Sequence, residues 1–195
     1  METDDKIMTG EESLRIISEM INKTKVNIRH GIFHLLFWGW LIFVCSIAVF
    51  ILFVFFHVAN PWIIWFLMIP GAFVSAIYGF VNGRKEKVHT YADRLYMWTW
   101  IGFLAAATVL FIVLAKNMAI VTPLILLLAG FPTFVSGFII KFKPLIIGGI
   151  AFWFFALIAH FSGGNIELLA TPAAVLIGYL VPGYMLKRRV DHAAI

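Results

Sequence analysis

Long stretches without a single Asp, Glu, Lys or Arg are the feature that most limits how this 195-residue chain can fold. They cover residues 30–83, 95–115, 117–140, 144–166 and 168–186. Each can cross a hydrocarbon layer of roughly 30 Å as a helix, and the first, interrupted at Asn60-Pro61, is long enough for two crossings. Because backbone groups in lipid must pair within their own segment, the chain is predicted to form six transmembrane α-helices.

The composition agrees with an all-α, multi-pass membrane protein. Hydrophobic residues make up 62% of the chain and charged residues only 13%, against about 25% charged in soluble domains. Cys45 is the single cysteine, so neither a disulfide within one chain nor a CxxC motif is possible.

The basic residues predict the orientation of the helices. Fourteen of the fifteen lie in the N-terminal segment, in the connections after the second and fourth spans, or in the C-terminal tail, and only Lys116 lies on the other side. By the positive-inside rule, both termini are expected to be cytoplasmic. The same asymmetry, facing anionic lipid headgroups, accounts for the net charge of +5, so a nucleic-acid partner is not needed to explain it.

Paired prolines indicate an internal repeat. The even-numbered spans each carry one proline near the outer end and a second nine or ten residues later, at Pro70, Pro132 and Pro182. The repeat predicts three tandem helical hairpins over residues 31–83, 95–140 and 144–186. The second prolines are expected near the bilayer midplane, where three kinked helices could enclose a binding cavity, although prolines in membrane helices also serve packing alone.

Small residues predict close helix packing in the second span. Ser75, Gly79 and Gly83 recur every four residues on one face, and such faces let helices approach closely. This pattern favours a compact bundle or a homo-oligomer.

The spans lack the groups that most membrane chemistry requires. They contain no Asp, Glu, Lys or Arg, which argues against proton-coupled antiport and voltage sensing. His57, His160 and Glu167 lie near the outer ends of spans and could hold a metal ion only if the hairpins brought them together, but their spacing is not a metal motif. No protease, nucleotide-binding or metal signature occurs, so we expect no enzyme activity, cofactor or metal.

Residues 1–29 are predicted to form a cytoplasmic amphipathic helix ahead of the bundle at 30–186 and the basic tail at 187–195. Thr9 and Glu12 match a capping box. An apolar stripe at helical spacing must be buried against lipid, the bundle or a protein partner. It consists of Leu14, Ile17, Met20, Ile21 and Ile28.

Short motifs spread over nearly the whole chain carry a resemblance. They are EESLRII at 11–17, FWGWL at 37–41, YGF at 78–80, FVSG at 134–137 and KFKPLIIGG at 141–149. They resemble a family of uncharacterised small multi-span membrane proteins from Bacteroidetes-type bacteria. The resemblance implies a bacterial cytoplasmic membrane, and it points to signalling because such proteins accompany small winged-helix regulators.

Two functions follow as expectations. The first is a non-enzymatic membrane anchor or sensor that acts on a cytoplasmic partner through the N-terminal helix. The alternative is an uncoupled transporter or exporter of a neutral or lipophilic small molecule through the kinked centre of the bundle.

Overall fold

The computed structural model describes residues 10–83, 91–116, 118–162 and 164–192, and every regular element within these ranges is helical. Short 3₁₀ segments, Pro61–Leu67 and Met118–Ile120, precede the second and fourth helices, and a π-helical segment, Leu176–Leu180, joins the last two. The α-helices are α1 Gly10–Val54, α2 Met68–Gly83, α3 Tyr91–Val113, α4 Val121–Ile139, α5 Lys143–Ser162, α6 Gly164–Val175 and α7 Val181–His192.

Six helical segments are long and apolar enough to cross a membrane, which confirms the predicted number of spans and the all-helical fold class. The protein is therefore a multi-pass membrane protein. With six crossings, the start of the first span and the end of the last span lie on one side, which we call the terminal side. The spans are Gly31–Val54, Pro61–Val81, Arg94–Val113, Val121–Ile139, Lys143–Ser162 and Gly164–His192.

Helix α1 is much longer than a membrane crossing. It has 45 residues, about 68 Å at 1.5 Å per residue, and only Gly31–Val54 belongs to the span. Its backbone runs without a break through position 30, where the sequence suggested a boundary. The side chains of the predicted docking stripe lie outside the described part of the structure: Leu14, Ile17, Met20, Ile21 and Ile28.

Glycines let the central helices approach closely. A Cβ atom added at Gly149 on α5 would lie 2.6 Å from the backbone nitrogen of Phe134 on α4, and one at Gly137 would lie 2.6 Å from the nitrogen of Ile146. Gly148 faces Gly178 of the π-helical segment, with 2.7 Å between an added Cβ and the Gly178 carbonyl oxygen. Because these glycines have no side chain, the helix backbones pack closely, and dispersion between them drives helix association where water is absent.

Helices α2 and α3 lie at the periphery of the bundle. In the apolar 18-residue stretch of each of these helices, only 6% of the stretch is buried, whereas the corresponding share in the other four spans is 28–50%. Helix α2 packs on α1 and α3 packs on α4, whereas α1, α4, α5 and the α6–α7 span form the core.

The helices that the sequence pairs into hairpins do touch: α1 contacts α2, α3 contacts α4, and α5 contacts α6. The most extensive interface, however, joins α4 to α5, which belong to different predicted hairpins. The threefold relation among the hairpins stays a prediction.

The three midspan prolines have different surroundings. Pro70 is exposed and follows the 3₁₀ segment, whereas Pro132 and Pro182 are buried. Pro182 has no N–H for the Gly178 carbonyl four residues earlier, and its ring would press against that oxygen in an α-helix. The N–H of Val181 instead bonds the Leu176 carbonyl, five residues back, so the π-helical turn makes room for the proline ring.

Candidate functional site

An open groove of about 740 Å³ lies between α1 and α7, and a smaller cavity of about 430 Å³ lies at the outer ends of the helices, beside His57 and Asn165. The wall of the groove on α1 is apolar, and the residues recur as adjacent pairs every four positions, the spacing of one helix face. They are Ile32, Phe33, Leu36, Phe37, Trp40, Leu41 and Val44.

The two ends of the groove differ in chemistry. Lys187, Val190 and Asp191 of α7 line its mouth at the terminal side, and the exposed Arg188 and Arg189 lie between them in sequence. Val44 lines the far end and is 56% exposed. From Ile32 to Val44, α1 rises about 18 Å, which is slightly more than half of a hydrocarbon core of roughly 30 Å. The groove therefore matches the depth of one leaflet, with its charges at the membrane surface.

Contacts between α1 and α7 hold the groove in shape. Gly183 of α7 receives the side chain of Leu36, because an added Cβ would lie 2.7 Å from Leu36 Cδ2. Near the middle of the groove, Trp40 donates its indole N–H to the Tyr184 hydroxyl, 3.0 Å away, and Trp40 remains 45% exposed. The bond fixes a large aromatic ring at the open edge of the groove.

A polar contact joins α1 to α2 behind this wall. Trp38 donates its indole N–H to Ser75 Oγ at 3.2 Å, and the same oxygen lies 3.0 Å from Nδ1 of His34. One turn away, the rings of Phe33 and Tyr78 stack with centroids 3.8 Å apart. Ser75, predicted to belong to a packing face, therefore binds two side chains of α1 at once.

We expect Ser75→Ala to lower the free energy of unfolding by about 1 kcal/mol, because hydrogen bonds between membrane helices contribute roughly 0.6 to 1.7 kcal/mol. Unfolding by SDS titration from mixed micelles measures the loss. Thr108→Ala is the control, since the Thr108 hydroxyl bonds the Leu104 carbonyl of its own helix. Equal stability of both variants and the wild type would contradict this role for Ser75.

A second polar group lies inside the bundle, beside the buried midspan prolines Pro132 and Pro182. Pro132 cannot donate to the carbonyl of residue 128, and side chains bond the carbonyls on either side: Trp153 Nε1 donates to Leu127 at 3.1 Å, and Thr133 donates to Ala129 at 2.7 Å. The Tyr179 hydroxyl of the π-helical segment lies 3.4 Å from Thr133 Oγ1. These bonds account for the buried hydroxyls of Thr133 and Tyr179 as supports of an interrupted helix.

The three midspan prolines lie outside both cavities. None of Pro70, Pro132 and Pro182 lines the groove or the smaller outer cavity, which contains His57 and Asn165. Among the described residues, no group of three His, Cys, Asp or Glu side chains could hold a metal ion. The predicted cavity at the prolines stays a prediction, and the groove lies elsewhere.

Sequence reasoning missed the groove residues. One signal in the sequence was the FWGWL motif, which contains Phe37, Trp40 and Leu41. Trp38 and Trp40 are two positions apart, so they lie on different faces of a helix, and one of those faces forms the groove wall. Its pairing with α7 depends on contacts between residues about 145 positions apart, such as Trp40 with Tyr184.

Comparison of the chain with protein-family models, curated proteins and solved structures finds no match. The resemblance stated from the sequence motifs therefore stays a prediction.

Proposed function

We propose that the protein is a non-enzymatic membrane sensor: the α1–α7 groove binds a lipophilic molecule from one leaflet, and α1 passes the occupancy of the groove to a partner protein in the cytoplasm. The observation that carries the proposal is the continuity of α1. One unbroken helix contains the groove wall at 32–44 and extends about 30 Å beyond the span, through residues 10–30.

A continuous helix couples its two ends mechanically. Any occupant that changes the separation or angle between α1 and α7 must also move residues 10–30, because no loop in α1 can absorb the change. The occupant can shift this equilibrium only by its difference in affinity for the two arrangements, which requires contacts made by the moving helix. Seven α1 side chains in the groove supply such contacts.

The orientation of the sensor follows from the basic residues. With fourteen of fifteen on the terminal side, we place that side, the extension of α1 and the mouth of the groove in the cytoplasm. By its resemblance, the protein belongs in a bacterial inner membrane.

The depth of the groove favours sensing over the transport alternative. A transport path must offer binding surface across both leaflets, whereas this groove covers about 18 Å from the terminal side and opens laterally. The shape therefore suits a molecule that enters from the leaflet and returns to it.

The proposal predicts that partner binding depends on the apolar stripe of the α1 extension. In the full chain, Leu14→Ser combined with Ile21→Ser should reduce a crosslinked complex in intact cells at least tenfold, because two apolar contacts of roughly 1 kcal/mol or more are lost. Quantitative mass spectrometry after affinity purification measures the complex.

The matched control replaces Glu19 and Lys23 by Ser, which keeps the net charge and changes the opposite face of the same helix. This variant should retain the complex. Equal recovery from both variants, with both chains inserted and equally abundant, would contradict a partner-binding role for the stripe.

A further inference from the structure

The groove has the charge distribution of a binding site for an amphiphile. Its α1 wall is entirely apolar over the depth of one leaflet, and its two charged residues, Lys187 and Asp191, lie at one end only, where they form part of the mouth. An occupant must therefore combine a hydrocarbon chain with a group that a lysine binds, and the chain must lie deeper in the membrane than that group.

The length of the wall sets the size of the chain. Carbon–carbon bonds of about 1.5 Å at tetrahedral angles advance roughly 1.25 Å per carbon, so 18 Å accommodates about 14 carbons in an extended chain. The volume of about 740 Å³ lies within the range of small-molecule sites, roughly 300 to 1,000 Å³. One acyl chain of a membrane lipid fits these dimensions.

The charges at the mouth select the headgroup. Lys187, Arg188 and Arg189 follow one another at the end of α7 and are all exposed, and of these three Lys187 lines the groove. Asp191 is the acidic lining residue, and it already takes part in an interaction of its own. An ammonium is a point-charge donor that binds phosphate well, and basic residues at a membrane surface each contribute attraction to anionic lipids.

We infer that the groove binds an anionic phospholipid, with its phosphodiester on Lys187 and one acyl chain along Phe37, Trp40 and Val44. This assignment names the ligand class of the sensor and rests on the proposed function for its biological meaning. The protein would then report the anionic phospholipid content of the leaflet on its terminal side.

Photo-crosslinking of the full chain in nanodiscs tests the assignment. The discs consist of a phosphate-free glycolipid doped with a diazirine-bearing phosphatidylglycerol, or with a diazirine-bearing glycolipid that has the same acyl chains. We expect the phosphatidylglycerol probe to modify the 31–44 peptide in the wild type, and Lys187→Gln to reduce that adduct about fivefold while leaving the glycolipid adduct unchanged.

Two matched controls separate the groove from ordinary lipid contact. Lys143→Gln removes an exposed lysine on the same side of the membrane outside the groove, and it should leave the adduct unchanged. Val44→Trp fills the far end of the groove and should remove the adduct. Val109→Trp, on a valine that is 58% exposed on α3, should not.

Equal adduct yields from the two probes, or equal effects of the two lysine substitutions, would overturn the assignment. Either outcome would mean that the groove holds lipid without recognising its headgroup. Crosslinks from α1 to a second copy of the chain would overturn it too, because the groove would then be a protein interface. The assay contains no partner protein, so a negative result overturns only the lipid assignment. The mechanical coupling of α1 is tested separately, by a distance measurement.

Discussion

Gly149→Ala is expected to lower the free energy of unfolding by about 3 kcal/mol, because the added methyl group meets the backbone of the neighbouring helix. The added Cβ would lie 2.6 Å from the Phe134 nitrogen and 2.7 Å from its Cα, so it meets the backbone of α4. A flexible side chain could turn away, but a helix backbone can yield only by moving the whole helix, and overpacking a tight core costs about 1 to 3 kcal/mol. SDS-induced unfolding in mixed micelles measures the loss.

Gly102→Ala is the control for this prediction. No atom lies within 4 Å of a Cβ added at Gly102 on α3, so the methyl group projects outward, and the higher helix propensity of alanine should leave stability unchanged or slightly increased. Equal unfolding curves for Gly149→Ala and the wild type would show that α4 and α5 are not packed through their backbones as described.

The number and limits of the spans could be predicted from sequence because one physical constraint determines them. A charged side chain is expensive in hydrocarbon, so Arg29, Arg84 and Lys141 mark where spans begin and end. The predicted limits at 31, 83 and 140 agree with the structure to within two residues, whereas the sixth span continues to His192, six residues beyond the predicted end at 186.

The arrangement of the helices could not be predicted in the same way. Small residues permit close packing without specifying the partner: Ser75 and Gly79 lie on one face of α2, yet Ser75 bonds α1 while Gly79 remains exposed. The tightest contacts instead involve Gly137, Gly148 and Gly149, and nothing local distinguishes these glycines from the others.

The groove was beyond sequence reasoning for a related reason. Its walls come from the first and last helices, and their register depends on how Leu36 fits against Gly183. The sequence pointed to the prolines as cavity residues because proline has a local effect on a helix. In the structure, that effect at Pro132 and Pro182 is accommodated locally, by side-chain hydrogen bonds in one case and by a π-helical turn in the other.

Filling the groove should move the α1 extension. Val44→Trp places a bulky ring at the apolar far end of the groove, at a position that is already 56% exposed, so the ring fills the groove without entering the core. Gly39, which packs against Tyr179 and Leu180, provides a fixed point on α1. A tilt of about 10° around Gly39 displaces residue 23 by about 4 Å, since 16 residues of helix span about 24 Å.

The most direct test of this coupling is a distance between spin labels at Lys23→Cys and Lys143→Cys, measured by double electron–electron resonance in a Cys45→Ala background. Val44→Trp should shift the mean distance by about 4 Å relative to the parent chain, whereas the equally exposed Val109→Trp should leave it unchanged. Identical distance distributions in all three chains would show that the groove and the α1 extension are not coupled, and the sensor account would be wrong.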